Sequence, residues 1–287
     1  MSAHSTWPAP RPAHDPATVG LLAVDVDGTI VDGWPERISQ RVIDAMQRAA
    51  ADPRLHLVFA TGRAAYSTLR IARAFGIFRS WAVCSNGSLT VRFDPDLPDG
   101  FEITNQVTFD PGPALDAVLH LLPAGTSVAV EEVGVGFLAT KQFPEGELDG
   151  QVTVVSLEEL ATRPATRVIL RSTDLTQELM AQVMEATRLG GVTYAVGWTG
   201  WVDLNPPGVS KASALEALRQ RLGVAASGTV ALGDGGNDLA MLSWASRGVA
   251  MGGSAQSVIA AAGEVTGSVE DDGAAWLIDD VLAGLPN

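Results

Sequence analysis

Residues 21–30 constrain the fold of this chain more than any other stretch. They read LLAVDVDGTI, so an apolar run surrounds Asp25 and then stops at Asp27, Gly28 and Thr29. An apolar run that ends in turn residues predicts a buried parallel strand of an α/β sheet. Both carboxylates would then follow the carboxyl end of the strand, where open α/β sheets bind their ligands. On this stretch alone, a cation site and a simple Asp-Gly turn are both open.

The composition of the whole chain excludes several classes of protein. With 287 residues, 46% of them hydrophobic, the chain is long enough for two domains or for one domain with an insertion. A net charge of −14 disfavours nucleic-acid binding, which needs clustered cations. No apolar stretch is long enough to span a bilayer, and residues 1–19 lack the apolar core of a signal peptide. The single cysteine, Cys84, suits a reducing compartment, so we expect a cytoplasmic protein.

Strand and helix patterns alternate at both ends of the chain. After the first strand, the spacing of apolar residues predicts a helix over 39–51 and a strand over 55–60, and the same style resumes from residue 210. This alternation predicts a parallel sheet with right-handed crossovers. Between about 89 and 204, several predicted strands follow one another without a helix, which is typical of an α+β unit.

We therefore predict an α/β fold in which a Rossmann-like parallel-sheet core is interrupted by an inserted α+β cap domain. The expected divisions are a flexible N-terminal tail over residues 1–18, a discontinuous catalytic core over 19–88 and 206–287, and the cap over 89–205. Two stretches rich in Pro and Gly, at 94–100 and 206–208, are expected to be joints between the domains or turns.

Four groups of polar side chains lie at ends of predicted elements. Three of the groups follow a predicted strand, and the fourth lies at the start of a predicted helix. They are Asp25 with Asp27, Thr61, Lys211, and the group Asp234, Asn237 and Asp238. Because parallel strands end at the same edge of a sheet, residues distant in sequence can converge there.

This inventory fits a phosphoryl-transfer site. One carboxylate can act as the nucleophile, and a second can protonate the leaving oxygen and later activate water. A hard divalent cation held by oxygen ligands would neutralise the phosphate. A hydroxyl and an ammonium group would stabilise the developing charge. A spacing of two residues would place the Asp25 and Asp27 side chains on the same side of an extended strand, although the Asp-Gly turn can change that.

Four sequence motifs resemble those of the haloacid dehalogenase-like (HAD) superfamily. In order they are VDVDGTI, ATGR with Thr61, PPGVSK with Lys211, and GDGGND. Their order and spacing are similar to the Cof-type phosphatase branch, in which the cap is inserted between the second and third motifs. The resemblance spans roughly residues 21–281. It implies a HAD core with an α+β cap, Mg²⁺ as the cofactor, and hydrolysis of a phosphate ester.

The resemblance also implies roles for the acids. Asp25 would be the nucleophile, oriented by Lys211, and Asp27 would be the general acid and base, with its backbone carbonyl on Mg²⁺. Asp25 and Asp234 would bind the metal through their side chains. Asp238 would either bind it directly or support another ligand.

Other residues would bind the phosphoryl group of the substrate. The resemblance gives this role to Thr61, Lys211, Asn237 and the backbone amide of Gly62. Arg63 is open between a substrate contact and a surface ion pair. Asn86, in a Ser-Asn-Gly turn, is expected to shape the floor of the site rather than react.

The predicted function is a Mg²⁺-dependent phosphatase that hydrolyses a small phosphate monoester, a sugar phosphate first, through an aspartyl-phosphate. A phosphomutase that uses the same intermediate and a catalytically silent phosphate-binding module are the alternatives. The expected partner is a small phosphate ester, without nucleic acid or membrane, and the expected state is a monomer or a homodimer. Cys84 is expected to be a packing residue rather than a nucleophile.

Overall fold

The computed structural model describes residues 20–33, 36–189, 193–196 and 200–285. The predicted tail over residues 1–18 lies outside this range. Close contacts divide the chain into two compact units. The first unit contains the chain up to Val58 and from Leu218 onwards, and the second contains Phe59–Ala217.

Strands and helices alternate along most of the chain. Up to residue 106 they are β1 (Leu21–Val24), α1 (Gln40–Ala51), β2 (His56–Ala60), α2 (Ala65–Ala74), β3 (Ser80–Cys84), β4 (Leu89–Phe93) and β5 (Phe101–Gln106). From 111 to 205 they are α3 (Pro111–Val118), β6 (Ser127–Glu132), β7 (Gly136–Ala139), β8 (Gln151–Val154), α4 (Leu157–Ala161), β9 (Val168–Arg171), α5 (Gln177–Leu189), β10 (Thr193–Val196) and β11 (Trp201–Asn205). The rest are α6 (Lys211–Leu222), β12 (Thr229–Gly233), α7 (Leu239–Trp244), β13 (Arg247–Ala250), α8 (Gln256–Ala262), β14 (Gly263–Val265) and α9 (Gly273–Ala283).

The first unit is built on a parallel sheet in which β14, β13, β12 and β1 are successive neighbours. β1 and β12 are buried along their whole length, as expected for apolar strands covered on both faces. Their register pairs Val24 with Leu232, and the N–H of Asp25 donates to the carbonyl of Leu232 at 2.9 Å. Asp25 is therefore the first residue after the paired part of these two strands.

The second unit contains two groups of strands. β4 pairs antiparallel with both β3 and β5. The other group is a sheet in the order β10-β11-β9-β6-β7-β8, in which only the β7–β8 pair is parallel among the described strands. Apolar residues of α3 and α4 pack with this sheet, and Leu115, Leu160 and Val168 are buried in that cluster. The second group is thus a small α+β layer built from residues 127–205.

The predicted α/β class is confirmed, and most predicted elements are present within a residue or two of their expected ends. β8 and α4 were not predicted. β4 and β5 fall inside the predicted cap range 89–205, but β4 pairs with β3 and β5 pairs with β4. Because these pairings do not test which segments fold independently, the domain limits stay a prediction. Among the described residues, the longest helices are too short or too polar to cross a bilayer.

Candidate active site

Three carboxylates of the first unit lie close together where β1 and β12 end. Each of Asp25, Asp234 and Asp238 offers one oxygen, and these oxygens all lie within 4.8 Å of one another. Asp25 and Asp238 are buried, and Asp234 is half-buried. We call these three residues the acidic cluster. The structure therefore brings together two motifs that are more than two hundred residues apart in the sequence.

The loop after β1 is shaped to admit Asp234. Gly28 has a φ of +78°, and a Cβ at this position would lie 2.2 Å from Oδ2 of Asp234. Both facts require glycine. The hydroxyl of Thr29 donates to Oδ2 of Asp25 at 3.3 Å and lies 3.4 Å from Oδ1 of Asp234. The Asp-Gly turn thus belongs to the acidic cluster rather than only reversing the chain.

Asp238 holds the loop that carries Asp234. Its Oδ2 accepts the N–H groups of Asp234 at 3.0 Å and Gly235 at 2.9 Å. A Cβ at Gly233 would lie 2.5 Å from the carboxyl group of Asp238, so the backbone approaches this side chain as closely as glycine allows. The position of Asp234 therefore depends on Asp238.

The acidic cluster fits a hard divalent cation. Carboxylates this close repel one another, and a cation bound between them removes that repulsion. Mg²⁺ prefers oxygen ligands and is usually held by one or two carboxylates together with water and phosphate. The donor set suits this chemistry, and the identity of the metal and the ligand roles of these residues stay predictions.

Asp27 is placed differently from the expectation for a continuous strand. β1 ends at Val24, and Asp27 instead forms an isolated bridge with Val31. The N–H of Gly28 donates to the carbonyl of Val31 at 2.9 Å, which closes a tight turn directly after Asp27. The alternation rule for extended strands therefore does not describe this pair of acids. The metal contact predicted for the backbone carbonyl of Asp27 stays a prediction.

In the second unit, Thr61 begins a turn that we call the TGR turn (residues 61–63). Thr61 is fully buried. Its N–H donates to the carbonyl of Val83 at 2.8 Å, which continues the pairing beyond β2. The N–H of Arg63 donates to Oγ1 of Thr61 at 3.1 Å. The Thr61 hydroxyl accepts this bond, so its own proton remains to be donated elsewhere.

The Ser-Asn-Gly turn Ser85–Gly87, which we call the SNG turn, packs against the TGR turn. The N–H of Asn86 donates to the carbonyl of Thr61 at 3.1 Å, and the N–H of Ser85 donates to the carbonyl of Arg63 at 2.9 Å. Ser85 and Asn86 both have positive φ values, 49° and 54°. Such conformations cost about 1–3 kcal/mol per non-glycine residue and persist where the surroundings enforce them.

The SNG turn also contacts the start of α6. A Cβ at Gly87 would lie 2.2 Å from the carbonyl oxygen of Ser210, so only glycine fits. Lys211 follows as the first residue of α6 and is fully buried. The positive end of a helix attracts anions, and the predicted contact of Lys211 with phosphate stays a prediction.

Four buried polar residues of the α+β layer lie next to the SNG and TGR turns. We call them the buried polar network, and they are Glu131, Arg167, Asp203 and Asn205. The hydroxyl of Ser85 donates to Glu131, and the Asn205 amide donates to the carbonyl of Ser85 at 3.0 Å. These contacts supply the enforcement that the strained turn requires.

Asp203 is the centre of this network. Its Oδ2 accepts from the Asn86 amide at 3.2 Å and lies 3.5 Å from Nη1 of Arg167, and its Oδ1 accepts from the Trp201 indole at 2.9 Å. Burial raises the pKa of Asp203 above its ordinary value, and the charge of Arg167 opposes that rise. Sequence reasoning missed the network. Its signal is charged or amide side chains placed within apolar strand sequences, as in VAVEE and WVDLN.

The remaining predicted site residues lie in both units. Asn237 is half-buried in a 3₁₀ turn, Gly236–Asp238, next to the acidic cluster. Gly62 and Arg63 are half-buried in the TGR turn. The first unit thus holds the acids with Asn237, and the second holds the residues predicted to bind phosphate. Their convergence in one site stays a prediction.

Cys84 is a core residue at the end of β3. It is fully buried, and burial raises the pKa of its thiol to about 12. Because the pKa lies far above neutrality, the reactive thiolate is absent at pH 8. We expect the native protein to resist iodoacetamide at pH 8 and the urea-unfolded protein to be alkylated, as read by mass spectrometry. Rapid alkylation of the native protein would contradict this assignment.

A family model described as haloacid dehalogenase-like hydrolase matches residues 22–278 of this chain. The chain is 25% identical to the phosphatase YwpJ of Bacillus subtilis over 292 residues, which cover 91% of this chain and 99% of that protein. It is 38% identical over 112 residues to the 5-amino-6-(5-phospho-D-ribitylamino)uracil phosphatase YbjI of Escherichia coli. That match spans 38% of this chain and only 41% of the relative.

Solved structures agree with the family model. A phosphatase of the haloalkanoate enzyme superfamily from Bacteroides thetaiotaomicron is similar with a TM-score of 0.73 and 27% identity, covering 95% of this chain and 97% of that chain. A HAD subclass IIB sugar phosphatase shares the fold with a TM-score of 0.75 and 23% identity, covering 93% and 100%. The four motifs and the fold lead to one assignment: this chain belongs to the haloacid dehalogenase-like hydrolases and is an enzyme of the phosphatase type within that family.

Proposed function

We propose that this chain hydrolyses a small phosphate monoester through a phosphorylated Asp25, with Mg²⁺ as the cofactor. The observation that carries the proposal is the acidic cluster, with Asp27 two residues beyond Asp25. A carboxylate beside a cation site is a nucleophile that can approach a phosphate without being repelled. Asp27, which lies outside the cluster, would carry out the proton transfers.

In the first half of the reaction, a carboxylate oxygen of Asp25 attacks phosphorus, and the bond from phosphorus to the ester oxygen breaks. Asp27 donates a proton to that oxygen, so the product leaves as a neutral alcohol. Thr29 supports this step because its hydroxyl donates to Oδ2 of Asp25 at 3.3 Å and so holds the nucleophile in place.

In the second half, Asp27 is ionised and takes a proton from a water molecule. The water oxygen attacks phosphorus, and the bond to Asp25 breaks. Inorganic phosphate leaves, and both acids return to their starting protonation states. The two halves together replace one difficult displacement by two easier ones.

The metal and the anion-binding residues would stabilise the negative charge of the phosphoryl group. A divalent cation bound there would neutralise the charge of the phosphoryl oxygens. Asp25 and Asp234 would hold it, with Asp238 as a further ligand or as the support of Asp234 that its hydrogen bonds describe. Thr61, the Gly62 amide, Lys211 and Asn237 would donate to the phosphoryl oxygens, and Arg63 stays open between a substrate contact and a surface ion pair.

The substrate class is proposed from the chemistry and from the names of the relatives. The relative from Escherichia coli is named for a phosphoribityl compound, and one structural relative is named a sugar phosphatase. Both names support a phosphorylated sugar or sugar alcohol as the first class to test. A cytoplasmic location and a monomeric or homodimeric state are part of the same proposal.

Phosphate release from a panel of esters tests the proposal. The panel contains an aryl phosphate, sugar phosphates, sugar-alcohol phosphates and nucleotides, each with Mg²⁺, with EDTA, and with Mg²⁺ restored after EDTA. We expect release that chelation abolishes and Mg²⁺ restores, with sugar or sugar-alcohol phosphates preferred. Release that is indifferent to chelation would exclude the metal role. An isomerised product without free phosphate would instead indicate a mutase.

A further inference from the structure

We infer that Arg167 is a positioning residue that aims the Thr61 hydroxyl at the phosphoryl group through the peptide bond between Gly62 and Arg63. The inference rests on the proposed function, since it assigns Thr61 to phosphate binding. Arg167 immediately precedes β9, about one hundred residues from the TGR turn in sequence. It is buried, and its Nη1 donates to the carbonyl of Gly62.

A single peptide plane links the two residues. The carbonyl of Gly62 and the N–H of Arg63 belong to one planar trans peptide and point in opposite directions. Arg167 binds the first group, and the second donates to Oγ1 of Thr61 at 3.1 Å. The guanidinium therefore fixes the direction of the N–H that orients the hydroxyl. Because the donor is charged, it also polarises the peptide and strengthens the bond to Oγ1.

The neighbouring carbonyls of the TGR turn are held as well. The carbonyl of Thr61 accepts from Asn86, and the carbonyl of Arg63 accepts from Ser85. Of the three carbonyls in the turn, the middle one is bound by a side chain of the α+β layer rather than by the backbone of the SNG turn. Arg167 thus supplies the third of three anchors that set the direction of the amides in this turn.

The placement of Arg167 favours the peptide over its carboxylate neighbours. Buried arginines commonly pair bidentately with a carboxylate at about 2.8 Å. Here Nε lies 3.8 Å from Glu131, and Nη1 lies 3.5 Å from Asp203. Among the described residues, the buried Nε has no hydrogen-bond partner. The two acids balance the charge of the guanidinium. Its Nη1 makes a long hydrogen bond of 3.5 Å to Asp203 and a shorter one to the carbonyl of Gly62.

Arg171, four residues further along, provides a matched control. It ends β9 and forms the bidentate pair that Arg167 lacks, with Nε 2.9 Å and Nη2 2.6 Å from the carboxylate oxygens of Glu147. Replacing either arginine by methionine removes one guanidinium from the same segment. The hydrogen bond to the carbonyl of Gly62 is given by Arg167 and not by Arg171.

The test is a double-mutant cycle between Arg167→Met and Thr61→Val, with phosphate release from an active ester as the readout. We expect Arg167→Met to lower kcat/KM about tenfold to a hundredfold in the wild-type background, because small misplacements of a catalytic group cost that much. In the Thr61→Val background, the same change should lower it less than about threefold, since no hydroxyl remains to be aimed. Arg171→Met should leave kcat/KM within about twofold of wild type, because it removes no contact of the TGR turn.

Two results would overturn the inference. One is an Arg167→Met enzyme within about twofold of wild type, and the other is an equal loss in both backgrounds, which indicates a general structural role. If Arg167→Met does not fold, as judged by circular dichroism, the cycle is run with Arg167→Lys. Lysine keeps a charge between Glu131 and Asp203 but lacks the planar fork.

Failure of the proposed function gives a different result. In that case the wild-type protein releases no phosphate from any ester, and the cycle is read from the thermal shift caused by inorganic phosphate. We expect Thr61→Val and Arg167→Met each to weaken phosphate binding without adding to one another. Phosphate affinity unchanged by Arg167→Met would overturn the inference independently of turnover.

Discussion

Asp25→Asn is expected to abolish phosphate release, with a loss of at least about 10⁴-fold in kcat, a size typical for removal of a catalytic nucleophile. The amide is a poor nucleophile and cannot form the phosphorylated intermediate. The substitution keeps the size of the side chain and removes one negative charge from the acidic cluster. We therefore expect the fold to be retained, with an unfolding midpoint no lower than that of the wild-type protein.

Asp44→Asn is the matched control for this experiment. Asp44 lies on α1, where it accepts from the Gln40 amide at 2.8 Å, and it belongs to the same unit without joining the acidic cluster. It should keep wild-type turnover. Mass spectrometry after rapid acid quenching should detect a phosphorylated peptide containing residue 25 only when Asp25 is present. Near wild-type turnover of the Asp25→Asn enzyme would remove Asp25 from the nucleophile role.

Asp234→Asn is expected to raise the Mg²⁺ concentration that gives half-maximal activity by at least about tenfold, a change comparable with the loss of other metal-site contacts. Loss of one carboxylate removes a ligand and a charge from a site that holds few carboxylates. A readout independent of turnover is the thermal shift caused by Mg²⁺, because a metal that binds only the folded state stabilises it. We expect the wild-type unfolding midpoint to rise with Mg²⁺ and the variant midpoint to respond only at higher concentrations.

Asp279→Asn serves as the control for the metal experiment. Asp279 is a partly exposed acid of α9 that pairs with Arg48 on α1. Replacing it by Asn removes one negative charge from the protein, as Asp234→Asn does. Its Mg²⁺ response should match that of the wild-type protein. A Mg²⁺ requirement left unchanged by Asp234→Asn would exclude Asp234 as a ligand.

Most of the helices and strands could be predicted from the sequence because their apolar residues follow a clear period. The helix predicted over 39–51 is an example, since α1 covers Gln40–Ala51 and the Ser39 side chain caps it by accepting the N–H of Arg41. β8 and α4 escaped prediction for a physical reason. β8 is a half-exposed outer strand of four residues, and α4 has five, so neither carries enough buried residues to show a period.

The grouping of strands was less predictable than their existence. No α-helix separates β3, β4 and β5 in the sequence. Strands of the α+β layer also follow one another without a helix, so the sequence pattern does not tell the two groups apart. The pairing of β4 with β3 and of β5 with β4 depends on antiparallel registers such as Val83 with Thr90, and no periodicity specifies a partner. Local sequence thus identifies a strand, whereas the tertiary structure selects its neighbours.

By itself, the sequence determined the class of the fold and the candidate residues of the first motif, Asp25 and Asp27. Their chemistry is read from an apolar strand that ends in acids, which is a local pattern. The four motifs also predicted Asp234 and Asp238 as partners of Asp25 at a metal site, whereas only the tertiary structure placed these three carboxylates within 4.8 Å of one another in a group without Asp27. It alone also placed Arg167 against Gly62. Each of these outcomes depends on distant segments packing together, and the energy that selects them is absent from any single stretch of the chain.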